Sequence, residues 1–154
     1  MTRQELCAAL DAQLAAAQEQ VCVLAVPLAG GVPLYERGAG RRAVSASTIK
    51  VFIRLLGAEC IKAAACSVGT KNTVLERKML DWDAVSAGRN NYTSAEDLLR
   101  VFRALYAETV LTPELCALAR SILRRQRDTR MLTRYIWQDV PCAHKTGGLD
   151  RLSH

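Results

Sequence analysis

Leu6, Leu10 and Leu14 recur at every fourth position, a spacing that predicts an amphipathic helix from near the start of the chain to about Gln18. The apolar, β-branched run VCVLAVP (21–27), the turn-forming LAGG and then VPLYER (32–37) predict a hairpin of two strands. Gly38 and Gly40 loosen the chain before VSAS. STIKVFIRLLGAECIKAAACS then reads as helix, with Ile49, Phe52, Ile53 and Leu56 at helical spacing. Periodicity fades over Thr73–Asp83, which reads as loop. Thr93 or Ser94 is expected to cap the next helix, with Glu96 and Asp97 in its first turn and Leu98, Leu99, Phe102 and Leu105 on its buried face. Thr112-Pro113-Glu114 starts another helix, by the N-cap and first-turn proline rule, that runs to about Arg125. VPCAHKT (140–146) reads as a strand, followed by Gly147 and Gly148.

Composition narrows this picture without changing it. The chain has 154 residues, 50% hydrophobic and 23% charged, which is ordinary for one folded domain and unlike a disordered one. No run of about 18 apolar residues is present to span a bilayer. Residues 1–20 carry Glu5, Asp11 and Glu19 where a secretory leader needs an unbroken apolar core, so the sequence as it stands is expected in the cytoplasm. Six cysteines contain no C-x-x-C pair and have no histidine at finger-like spacing; they read as small buried thiols, with no metal and no cofactor implied. The net charge of +6 has a visible source in Arg120, Arg124, Arg125, Arg127, Arg130 and Arg134. With no aromatic interleaving and no nucleic-acid fold motif, that stripe reads as a solvated helix face; phosphate-backbone binding is the distant alternative.

Two short motifs carry candidate chemistry. Ser47 and Lys50 form an S-x-x-K at the start of a predicted helix, where residues three apart are neighbours and the amine can reach the hydroxyl. Free amides and the helix dipole there favour negative charge on an attacked carbonyl. Alone the motif is weak, since it arises by chance roughly once per couple of hundred residues. The bland alternative is a capping serine with a solvent-facing lysine. Lys145-Thr146-Gly147 is rarer, expected by chance in a few per cent of chains this long at about average residue frequencies. It also closes a predicted strand. S-x-x-K with K-T-G is the signature of class A β-lactamases and penicillin-binding proteins, and the chain resembles that family. The resemblance extends to VPLYERGAGRRAVSASTIKVFI, to TVLERKMLDWDAVSAGRNNYTSAEDLLRVFRAL and to CAHKTGGLDRLSH, in the family's order.

The resemblance implies an α+β, β-lactamase/transpeptidase-like fold with a helical region (47–137) and an antiparallel sheet (1–46 and 138–154), forming one incomplete domain over 1–154. It implies Ser47 as nucleophile and Lys50 as the group that takes its proton. Lys145, Thr146 and Gly147 would bind substrate, and the amides of Ser47 and Gly148 would form the oxyanion hole. The expected partner is a β-lactam or peptide-like small molecule, and the family's members are often exported. Three departures bear on activity. No S-D-N motif stands between the nucleophile helix and TVLERKM. Met79 falls where the family's Ω-loop carries the glutamate that activates water, with Glu76 off register and Asp81 and Asp83 as remote substitutes. The chain also stops soon after K-T-G, leaving sheet edges open to self-association. Acylation with poor deacylation is one expectation; an inactive relic or binding module of the same descent is the other.

Overall fold

The computed structural model describes residues 2–17, 20–27, 29–48, 61–78, 81–127, 140–149 and 152–153. Helix α1 (Arg3–Ala15) begins on a reciprocal cap: the Glu5 amide donates to the Thr2 hydroxyl at 3.2 Å, and the Thr2 amide donates to the Glu5 carboxylate at 2.7 Å. Leu6, Cys7, Leu10 and Leu14 are its half-buried side, as the fourfold spacing predicts, although the helix ends at Ala15. Strands β1 (Val23–Ala25) and β2 (Tyr35–Arg37) form the expected antiparallel hairpin, with Val23 opposite Arg37. Gly30 and Gly31 turn it at φ +92° and +103°, a region that suits residues without a Cβ.

Strand β3 (Ala43–Val44) pairs with β4 (Tyr92–Thr93), and Val74 bridges to Tyr92 on the same strand. A 3₁₀ turn (Ala46–Thr48) follows β3, and α2 (Ile61–Ser67) comes later; the helix predicted across 49–60 lies outside the described residues. Inside the region read as loop, α3 (Trp82–Ser86) is capped by Asp81, whose carboxylate accepts from the Ala84 amide at 2.9 Å. Five residues are too few to show a helical period, so only the cap could have announced it.

Helices α4 (Ala95–Tyr106) and α5 (Pro113–Arg124) pack together and form most of the core. Ser94 caps the first and Thr112 the second. Val101, Leu105, Cys116, Leu123 and Ala65 are buried at its centre, with Leu98, Phe102, Leu75 and Val110 half-buried around them. The fully buried residues of α4 are Asp97, Val101 and Leu105, while Leu98, Leu99 and Phe102 of the predicted face are half-buried. Helix α4 also packs against β1.

Among the described residues, 140–147 forms no strand. A strand needs a partner ladder, and here the His144 amide donates instead to the Leu123 carbonyl at the end of α5. Strand β5 (Gly148–Leu149) begins just after it and pairs with β6 (Leu152–Ser153). The arginine stripe is also less uniform than it reads. Arg120 donates to the Leu105 carbonyl at 3.1 Å and to Glu108 at 2.6 Å, tying α5 to the end of α4, while Arg124, Arg125 and Arg127 are exposed. The remaining arginines of the stripe, Arg130 and Arg134, lie outside the described residues.

Candidate active site

The turn that carries Ser47 is held from both sides. Ser45 precedes it, fully buried, and its amide and hydroxyl both donate to the Asn91 carbonyl, at 2.8 and 3.0 Å. The Ser45 carbonyl then accepts from the Thr48 amide at 2.9 Å and from the Thr48 hydroxyl. Thr48 is buried, whereas Ser47 is partly exposed. A serine thus stands at the surface on a turn whose two flanks are locked inside. Lys50 lies outside the described residues, as does Met79.

The K-T-G segment meets this turn directly. A Cβ added at Gly147 would lie 3.0 Å from the Thr48 nitrogen, 3.0 Å from the Thr48 methyl and 3.2 Å from the Ser47 nitrogen. A side chain there would require the turn to give by a few tenths of an ångström, so glycine at 147 lets the two segments sit this close without adjustment. Strand β5 continues along the same turn with Gly148, which is exposed. Lys145 and Thr146 are half-buried, and the Lys145 amine donates to the Thr146 carbonyl. Ser47, Gly147 and Gly148 are therefore adjacent although about a hundred residues separate them in sequence.

The acidic residues of the 73–83 region have other partners. Glu76 pairs with Arg42 at 3.9 Å and accepts from the Asn90 amide at 3.4 Å. Arg42 also lies over the Tyr92 ring, 4.7 Å from its centroid. Asp81 caps α3, and Asp83 is exposed in its first turn.

Two residues that organise the surroundings escaped the sequence reading. Asn91, 3% exposed, accepts from the amides of Glu76 at 3.0 Å and Arg77 at 3.1 Å through its Oδ1. Asp97, fully buried, accepts from the amides of Lys71 at 3.0 Å and Asn72 at 2.7 Å, from the Thr73 hydroxyl at 2.8 Å, and from Arg100 at 3.1 Å. A signal for Asp97 existed. It falls four residues before Val101 and eight before Leu105, so an acid sits on the apolar face and needs partners there.

Small antiparallel strands with helices packed against them make an α+β protein, in which a turn-borne serine lies against a glycine of K-T-G. The family model for the β-lactamase enzyme family matches residues 48–154, and the chain belongs to that family. The match begins one residue after Ser47 and takes in Lys50 and Lys145–Gly148. A crystal structure of a β-lactamase from Sphaerobacter thermophilus has a similar fold, with a TM-score of 0.78 and 16% identity over 97% of this chain and 81% of that one. No curated protein matches the chain. Membership makes it, at family level, a serine-hydrolase type of protein.

Proposed function

We propose that the protein is acylated on Ser47 by a β-lactam or a related amide and that the acyl-enzyme is released slowly. The Ser47 hydroxyl attacks the carbonyl carbon, a new C–O bond forms and the ring C–N bond breaks. The serine proton passes to Lys50 and from there to the leaving nitrogen. The amides of Ser47 and Gly148 take the developing oxyanion, and Lys145 and Thr146 hold the substrate carboxylate. The observation that carries this reading is the contact of Gly147 with the Ser47–Thr48 backbone, which sets the K-T-G edge beside the serine.

Slow release is the expectation from the residues the 73–83 region offers. Hydrolysis of the ester needs a base for water. Met79 cannot accept a proton, Glu76 is engaged with Arg42 and Asn90, and Asp81 is engaged as a helix cap. Incubation with a labelled penicillin is expected to give a long-lived adduct that maps to Ser47 by peptide mass spectrometry. The adduct should vanish in Ser47→Ala. Protein that stays unmodified at saturating penicillin would overturn the proposal and leave an inactive relative of the family.

A further inference from the structure

Asn91 stands where three lengths of chain meet. Val44 of β3 and Val74 both lie opposite Tyr92, so the strand leading to the Ser47 turn and the segment leading to Glu76 flank the same short β4. Asn91, one residue before that strand, bonds to both flanks at once. Its main-chain carbonyl holds the Ser45 amide at 2.8 Å and the Ser45 hydroxyl at 3.0 Å, and its side-chain oxygen holds the amides of Glu76 and Arg77 at 3.0 and 3.1 Å. Ser45 passes the restraint on, because its carbonyl takes the Thr48 amide at 2.9 Å and so closes the turn around Ser47.

We propose that Asn91 is a positioning residue for the Ser47 chemistry: through one peptide unit and one amide it sets the Ser47 turn relative to the Glu76 segment. The inference rests on the reading of Ser47 as the acylated residue. A second segment packs closely against the turn. On its other side Gly147 already lies so close that a methyl group there would be 3.0 Å from the Thr48 nitrogen. If the Asn91 side chain lets go of Glu76 and Arg77, β4 loses its end anchor, and the carbonyl aimed at Ser45 is freed to rotate. The hydroxyl of Ser47 and the amides meant for the oxyanion then lose their common alignment. An acceptor of this length is what the position requires, so aspartate should substitute for asparagine and alanine should not.

The test compares wild type, Asn91→Asp and Asn91→Ala by two readouts: the rate of Ser47 labelling by a penicillin across concentrations, and amide hydrogen exchange. Asn91→Asp is expected to label near the wild-type rate. Asn91→Ala should lose about tenfold or more in the limiting acylation rate, with the concentration for half-saturation little changed. Its amides at Ser45 and Thr48 should exchange faster, together with those at Glu76 and Arg77. Wild-type labelling by Asn91→Ala, equal losses in the alanine and aspartate variants, or faster exchange confined to 76–77 would each overturn the proposal. If wild type itself takes no label, the Ser47 reading falls, and with it the catalytic purpose of Asn91; the exchange pattern still decides whether Asn91 braces the turn. Should Asn91→Ala fail to fold, Asn91→Ser, whose shorter hydroxyl cannot serve both amides, replaces it with the same expectations.

Discussion

Asp97 does two kinds of work with one carboxylate. Its oxygens collect two amides and a hydroxyl from 71–73, while its own amide donates to the capping Ser94 hydroxyl at 3.2 Å and Arg100 balances its charge. The carboxylate is fully buried and its bonds are at least partly so, which makes an unpaired partner cost more than a made bond contributes. Asp97→Ala is therefore expected to destabilise the fold by roughly 3 kcal/mol, because it strands the 71–73 donors and leaves Arg100 with Glu96 alone. Asp97→Asn keeps one acceptor and should cost less. Urea unfolding followed by circular dichroism distinguishes them, and equal midpoints for the two variants would refute the argument. The exposed pairs, such as Arg120 with Glu108, should matter much less.

At the scale of elements, caps were the most readable feature. Thr112 and Pro113 announced α5, and its observed span of Pro113–Arg124 differs by one residue from the reading. The hairpin was also legible, because LAGG separates the β-branched run VCVLAVP from VPLYER. What could not be read was the dependence of an element on its partner. The run at 140–146 has the composition of a strand, yet strands exist as pairs, and no single run states which edge it will meet. The site divided in the same way. Ser47 and the K-T-G segment stood out by residue type and spacing, whereas the Asn91 carbonyl is a group any residue possesses and its side-chain oxygen accepts from amides fourteen and fifteen residues away, which no local pattern announces. The cap of α5 allows a direct check. Glu114 is held below the ordinary glutamate range, first by a bond from its own backbone amide and then by the Thr112 hydroxyl. Its contribution is complete above the ordinary value and fades as pH falls through the lowered one. Thr112→Ala should cost about 1 kcal/mol and move the Glu114 carboxyl titration, followed by NMR, upward. An unmoved titration would show that the threonine does not reach it.

Across the whole molecule, order is unevenly supported. Helices α4 and α5 share the core, with Val101, Leu105 and Cys116 each at most 2% exposed. Helix α1 has no buried residue at all. What joins it to the hairpin is the Tyr35 hydroxyl, which donates to Asp11 at 2.7 Å, supported by Arg37 at 3.8 Å from the same carboxylate and by the Cys7 thiol on the Leu34 carbonyl at 3.4 Å. The bond to Asp11 pushes the Tyr35 hydroxyl above its ordinary range, with burial adding to the effect. The bond from the phenol to the carboxylate thus helps to fasten the first helix, and its contribution is present below about pH 10 and lost as alkali carries the phenol through its raised value. Alkaline titration should then release α1 in a separate early step of ellipticity loss, while the α4–α5 pair stays folded. Tyr35→Phe should show no such step, its helix being loose already at neutral pH. An identical alkaline profile in both proteins would mean that the terminal helix is anchored by its leucines alone.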